Sequence, residues 1–329
     1  MSNARKLADN LPTDGQLSGR NVIINGNMKV AQRGTSQTAA GYGSLDRWVM
    51  SLSGATATMS QQSFTAGQTD VPGSEKYLKL AASAGNNNCG IYQKIEAKNT
   101  FHIINNKATL SYYAKGTSPA AGLQVTIGWY DGSTYTAATS IYVNLTSTWT
   151  KYTHTFDVPS ISGINLTAAV THLELKFAQA DADTGTGAFE VNLAQTQLEI
   201  GSRATPFEHE NYDVTLEKCQ RYFQMSGLGG HTDGRTYGIV FNQFTGTNAY
   251  SNQRWWKIMR TAPTITMNAI GNYNIYNTGA SRSFSAIGIG QLSDNSGEFY
   301  LTTGALTQGT ATHLNTNGDV FCWKADAEL

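Results

Sequence analysis

The chain has 329 residues, enough for two domains of ordinary size. Lysine plus arginine and aspartate plus glutamate both number 23, so the formal charge is zero. That leaves no basic surface of the kind whose counterion release drives nucleic-acid binding. Charged residues make up only 14% of the chain while aromatics reach 10%. This excludes a disordered polymer and favours a turn-rich all-β protein with an uncharged polar surface over a helical enzyme.

No run nears the ~18 apolar residues of a membrane-spanning helix. The opening MSNARKLADNLPTDG lacks the apolar stretch of a secretory signal. Cys89, Cys219 and Cys322 are scattered, with no C-x-x-C spacing for zinc or a redox pair. An odd number of cysteines and no signal lead to the expectation of reduced thiols in a chain folded in a cytosol.

Residues 2–11 have the pattern of a short helix, with Asn3 as N-cap, Leu7 and Leu11 on one face, and Pro12-Thr13-Asp14-Gly15 as a stop. A helix this short does not stand alone in water. Residues 1–20 therefore read as a docking segment that meets a partner through Leu7 and Leu11; fraying is the alternative.

From Asn21 the period is two, with Asn25-Gly26 as a turn signal. Leu110, Tyr112 and Ala114 share a face, as do Leu123, Val125, Ile127 and Trp129, after which Asp131-Gly132 turns a hairpin. Tyr152, His154, Phe156 and Val158 repeat the pattern, followed by Leu173, Leu175 and Phe177. In FEVNLAQTQLEI the apolar parity changes between Leu193 and Leu198, which predicts a β-bulge near Ala194-Gln195. These strands describe an antiparallel sandwich over 21–210. Tyr212, Leu216, Cys219 and Phe223 then step by four, three and four, predicting a linking helix within 211–227. Residues 228–329 return to β patterning as a second, smaller domain.

No metalloprotease, P-loop or nucleophile-elbow motif occurs, and the six histidines never sit at metal-ligand spacing. His231-Thr232-Asp233, between glycines, reads as a solvated loop. Asp181 and Asp183 in QADADTGTG are loop formers or oxygen ligands for a structural calcium, and come closest in sequence to the carboxylate pair a glycan hydrolase needs. Asp46 and Glu208 read as structural, paired with arginines such as Arg47 or Arg203. Sugar binding calls for flat aromatic rings beside planar polar side chains. The hairpin carrying Trp129, Tyr130 and Tyr135 offers both, with Trp129 in the core as the alternative. The strand around Trp255 and Trp256, neighboured by Tyr237, Tyr250, Tyr273 and Tyr276, offers a second surface. Adjacent tryptophans on a strand point to opposite faces, so one of the two belongs to the core and the other to the surface or an interface.

An ordered series of segments resembles a family of bacteriophage tail-fibre and host-attachment proteins. It comprises VIINGNMKVAQRGTS at 22–36, LDRW at 45–48, YQKIEA at 92–97, ATLSYYAKG at 108–116 and STWTKYTHTFDVPS at 147–160. QLEIGSRATPFEHENYDVTLEKCQRYFQ at 197–224, MRTAPTITM at 259–267 and WKADAEL at 323–329 continue it, and SNARKLADNL resembles the leader of such fibres. The resemblance implies a jelly roll like that of carbohydrate-binding modules, a virion location and commonly a homotrimer; it carries no catalytic motif. The resulting expectation is a non-enzymatic tail component, assembled in the bacterial cytoplasm. It would dock to other tail or virion proteins through residues 1–20 and bind host surface glycan through a tip at 228–329. The rivals are a purely structural virion component and a tail-borne glycan depolymerase.

Overall fold

The computed structural model describes residues 18–83, 88–161, 164–165, 170–180, 187–226, 235–245, 247–277, 280–282, 284–303, 309–317 and 321–329. The docking segment with Leu7 and Leu11, the Asp181/Asp183 turn and His231–Asp233 lie outside the described residues. The chain forms two compact units, one running to Leu216 and taking in Leu329, the other Glu217–Glu328.

The first unit is an antiparallel sandwich. One sheet runs in the order Ser36–Gln37, Ala57–Ser63, Lys76–Ala82, Phe189–Ile200, Lys107–Thr117, Thr150–Asp157. The other runs Val49–Ser53, Asn88–Glu96, His172–Ala178, Leu123–Tyr130, Tyr135–Ala137, with Ile141–Val143 also paired to Leu123–Tyr130. The chain crosses between the sheets after most strands, which is the winding of a jelly roll. The period-two residues meet between the sheets: Leu110, Tyr112, Ala114, Leu123, Val125, Ile127, Trp129, Leu173, Leu175 and Phe177 are all fully buried. Each large apolar side chain removed from water in this way contributes roughly 1.5–3 kcal/mol.

The bulge forms where the parity changes. Pairing of Phe189–Ile200 with Lys107–Thr117 shifts register between Ala194 and Gln197, and Gln195 takes a φ of 46°. The extra residue lets Val191, Leu193 and Leu198 all face the core. The flanks of Asn25-Gly26 join no sheet. Instead the turn is seated on the bulge: the Thr196 amide donates to the Gly26 carbonyl at 2.9 Å, and Asn21 Nδ2 donates to the Thr196 carbonyl at 3.2 Å. Asn25, at φ 59°, donates from Nδ2 to the carbonyls of Val30 and Asp46 at 2.8 and 3.0 Å and accepts from the Val30 amide at 3.0 Å. Its own carbonyl accepts from Trp48 Nε1 at 3.1 Å.

The LDRW segment belongs to the same clasp. Burial pushes the Asp46 carboxyl up, while Arg33 at 3.8 Å and the Gln32 amide at 3.0 Å pull the other way. Its ion partner is thus Arg33; the buried Arg47, at φ 71°, sends its guanidinium to the Lys94 carbonyl. Glu208 accepts from the backbone amides of Gly19 and Asn21 at 2.5 and 3.1 Å.

The helix is Tyr212–Gln220, shorter than the expected stripe. Its buried face is Thr215 and Cys219, while Tyr212 is 50% exposed. Phe223 lies beyond it because Phe223–Ser226 pairs as a strand with Trp323–Asp326. Among the described residues no helix is long and apolar enough to cross a membrane.

In the second unit, Phe223–Ser226, Trp323–Asp326 and Thr264–Met267 make a three-stranded sheet. A seven-stranded sheet runs Ala280–Arg282, Tyr273–Asn277, Ala311–Asn317, Arg235–Gln243, Asn248–Arg254, Ser296–Thr302, Ala286–Leu292. The core of this unit holds Ile239, Phe241, Phe299, Leu301, Leu314 and Trp323.

Two outcomes follow for stability. A Cβ on Gly26 would lie 2.1 Å from the Thr196 carbonyl oxygen, backbone that cannot swing aside. Gly26→Ala is therefore expected to lower stability by about 2 kcal/mol, while Gly187→Ala, which meets nothing within 4 Å, leaves it unchanged; denaturant titration of both variants checks this. The three cysteines are all buried and none forms a disulfide, and burial pushes the thiols of Cys89 and Cys322 up to about 12. A thiol reagent at pH 8 should modify none of them in the native protein and all three in denaturant.

Candidate functional site

A pleated strand sends alternate side chains to opposite faces, and two strands of the seven-stranded sheet, Asn248–Arg254 and Ser296–Thr302, each bury one face and leave the other open. On Asn248–Arg254, Ala249 is fully buried while Tyr250 and Asn252 point outward. On Ser296–Thr302, Phe299 and Leu301 are buried while Glu298 and Tyr300 point outward. Register brings the outward residues side by side, Tyr250 opposite Tyr300 and Asn252 opposite Glu298. Asn242, on the neighbouring strand, lies opposite Tyr250 on its other side.

The row continues at both ends. Next to Asn248–Arg254, the turn at 243–248 is fixed by the Phe244 and Thr245 amides donating to the Asn248 carbonyl at 3.0 and 3.1 Å. The Asn248 amide in turn donates to Thr245 Oγ1 at 3.0 Å. This holds Phe244 at the tip, 69% exposed, with its ring edge-on to Tyr250 at 6.0 Å. Tyr250 is 37% exposed and lies 6.3 Å from the Tyr300 ring. At the far end the edge strand Ala286–Leu292 presents Gly288 and Gly290 to the same face. A Cβ on Gly288 would lie 2.1 Å from the Tyr300 ring, and one on Gly290 would lie 2.2 Å from Glu298 Oε1. The two glycines leave room for Tyr300 and Glu298 to lie flat across the sheet.

The result is an open groove of about 760 Å³ with Val240, Phe244 and Tyr250 as apolar wall and Asn242, Asn252, Gln253 and Glu298 as polar partners. Flat rings with amide and carboxylate groups at their edges suit a ligand that has an apolar face and hydroxyls around its rim. Among the described residues Glu298 is the one carboxylate lining the groove.

The sequence candidates divide. Tyr250 lies in the groove. Trp256 is 56% exposed, in the segment following the strand, with its amide donating to Gln224 Oε1 at 2.8 Å. Of the adjacent tryptophans Trp255 is the one that belongs to the core, and Tyr273, a binding candidate, belongs to it too. Trp255 packs edge-on to Phe299 and Trp323 at 6.4 and 5.4 Å and donates from Nε1 to the Ser293 carbonyl at 3.0 Å. Tyr273 is 5% exposed, and its hydroxyl donates to the Cys322 carbonyl and accepts from the Asn268 amide. Both buried rings need a partner for their polar atom, and each has one.

The 129–135 hairpin forms, with Tyr130 opposite Tyr135, and Asp131 holds its turn by accepting from the Ser133 and Thr134 amides at 2.9 and 2.7 Å. Those amides hold the Asp131 carboxyl below its usual range, Thr134 first. Trp129 is in the core. The Tyr135 ring carries Lys176 Nζ at 3.8 Å, and Tyr130 lies tilted against His172 at 5.3 Å while its hydroxyl donates to the Gly132 carbonyl. Phe244 and Tyr300 were missed by the sequence reading. The alternation in GEFYLT places Tyr300 outward, but nothing local shows that it adjoins Tyr250. Among the described residues no group of three or more His, Cys, Asp or Glu could hold a metal ion.

No protein-family model and no curated protein sequence matches the chain. Similar solved structures include the enzymatically active domain of tailspike protein 4 of bacteriophage CBA120, at 14% identity and a TM-score of 0.37 over 55% of this chain and 22% of that one. They also include the family 22 xylan-binding domain from Paenibacillus barcinonensis, at 13% identity and a TM-score of 0.31 over 51% of this chain and 94% of that one. The family 11 carbohydrate-binding module from Clostridium thermocellum, in complex with a β-1,3-1,4-mixed-linked tetrasaccharide, gives 12% and 0.31 over 52% and 98%. The chain thus spans about a fifth of the tailspike domain, and at these identities and TM-scores the likeness says nothing of what this chain binds.

Proposed function

We propose that the chain is a bacteriophage tail-fibre or tail-associated protein that attaches to a host by binding cell-surface glycan through the Phe244–Tyr250–Tyr300 face. The observation that carries this reading is the row of three neighbouring rings, open to solvent and edged by Asn242, Asn252 and Glu298. A pyranose stacks its apolar face on such rings, and its hydroxyls pair with planar amide and carboxylate groups. The rings sit on a hydrogen-bonded sheet, so little freedom is lost on binding. Attachment by binding without turnover is supported by the groove's single carboxylate among the described residues, since glycoside hydrolysis ordinarily uses two. The ordered segments resembling tail-fibre proteins support the virion assignment and, with it, a homotrimer docked through residues 1–20 and assembled in the bacterial cytoplasm.

The test uses the full chain on an array of bacterial surface polysaccharides, followed by titration of each hit. Tyr250→Ala is expected to weaken binding about thirtyfold, the loss typical of an aromatic anchor, with unchanged melting; Trp256→Ala is expected to bind as the parent does. Absence of any glycan ligand, or full binding by Tyr250→Ala, overturns the reading. Light scattering of the same samples is expected to show a trimer. A monomer at micromolar concentration removes the oligomer assignment, and a Tyr250→Ala protein that loses only its oligomeric state makes this face a subunit contact.

A further inference from the structure

The sandwich unit carries a second aromatic cluster, on the outer face of its first sheet, that plays no part in the groove just described. On Lys76–Ala82, Leu78 and Leu80 face the core, so Tyr77 and Lys79 face outward. Phe64 follows the partner strand, its amide donating to the Glu75 carbonyl at 2.9 Å. Trp149 stands just before Thr150–Asp157, at the other edge of the sheet. The three rings converge: Phe64–Tyr77 at 4.9 Å, Phe64–Trp149 at 5.1 Å and Tyr77–Trp149 at 5.3 Å, the last pair edge-on at 80°. All three remain partly exposed. Phe64 also lines an open groove of about 610 Å³, where Ser74 Oγ is buried with no hydrogen-bond partner.

The charges around this corner do not cancel. Glu75 pairs with Lys29 at 3.5 Å and Glu190 with Lys79 at 2.7 Å. Glu190 is buried enough for desolvation to push its carboxyl up, yet Asn192, Lys79 and Lys115 together hold it below the usual range, so it stays anionic and neutralised. Lys76 donates only to Ser63 Oγ, at 2.7 Å. Lys115 makes no ion pair among the described residues; its Nζ lies 5.2 Å from the centre of the Trp149 ring. Lys76 is thus left without an acidic partner among the described residues, and Lys115, which acts on Glu190 only at a distance, keeps its Nζ over a ring of the cluster.

We propose that this corner is a second carbohydrate site, selective for acidic sugars of the uronic acid class. The sugar would stack on Trp149 and Phe64 and place its carboxylate on Lys115. The contrast with the first groove, where the charged group is Glu298, is one of sign: the same ring chemistry is paired there with an acid and here with a base. The inference stands on the sandwich residues alone and does not depend on the Tyr250 face.

The test is calorimetric titration of the full chain with oligomers of galacturonate, glucuronate and mannuronate, each beside its carboxyl-reduced counterpart, which keeps the backbone and removes the charge. At least one uronate oligomer should bind and its reduced form should bind at least about tenfold more weakly, the loss expected for a charge-assisted hydrogen bond. Trp149→Ala should abolish this binding, and Lys115→Met, which keeps the stem on the ring, should weaken it about tenfold with unchanged melting. Tyr250→Ala should bind uronate as the parent does. Failure of all three oligomers to bind, equal binding of the reduced forms, or parental binding by Lys115→Met overturns the proposal. If Trp149→Ala loses its fold, Lys115→Met decides.

Discussion

The strand Phe189–Ile200 has to keep one face in the core along its whole length although its apolar residues change parity midway. A regular strand would carry Leu198 to the solvent side. The bulge between Ala194 and Gln197 removes that conflict but takes Gln195 and Thr196 out of the ladder, and residues 21–26 are built around Thr196. Thr196 gives its amide to Gly26 and its carbonyl to Asn21. Asn25 in turn gathers Val30, Asp46 and Trp48. The segments 22–36 and 45–48 therefore serve the fold: the Gly26 carbonyl takes the amide that the bulge leaves open, and Asn25 with the buried Asp46–Arg33 pair holds together the segment that supplies it. An unsatisfied buried amide or carbonyl costs about 1–3 kcal/mol, so this clasp decides whether the sandwich can tolerate its own bulge.

The second unit solves a different problem, the placement of many aromatic rings in a small sheet. Rings whose polar atom can reach a backbone carbonyl go inside: Trp255 to Ser293, Tyr273 to Cys322. Rings without such a partner within reach stand on the open face, and cross-strand pairing collects them there. Tyr250 and Tyr300 are brought together by register alone, and Gly288 supplies the empty volume in which Tyr300 lies down. A larger residue at that glycine would push the ring upright and break the row.

What was legible in the chain followed from the pleat. The period-two faces of Leu110–Ala114, Leu123–Trp129 and Leu173–Phe177 and the bulge at Ala194-Gln195 were readable because each is a property of one strand. The helix was readable in position but not in extent, since Phe223 continues the helical step while its real partner, Asp326, is remote. The same limit hid most of the candidate site. Tyr250 could be named as an aromatic in a polar setting, but Phe244 and Tyr300 matter only through their distance to it. Which of Trp255 and Trp256 is buried, and that Tyr273 is, stayed hidden because composition does not record that a carbonyl waits for each polar atom.

A sheet face of this kind binds weakly by its nature. It is open, it surrounds little of a ligand, and each ring offers one stacking contact whose strength is capped by the area it can cover. Such a site gains force through repetition. In the proposed homotrimer, three copies would convert the second and third contacts with a polymeric glycan into intramolecular events, and avidity of that sort raises the apparent affinity by roughly 10²–10⁴ without any new contact. The same arithmetic favours rigid rings on hydrogen-bonded strands over mobile loops, because a site that must be ordered at each contact pays the ordering entropy once per copy. A weakly binding aromatic face on a stiff sheet would thus suit the proposed attachment role only when it is presented in several copies, where the weakness of each contact would also let the proposed particle release and rebind along a surface.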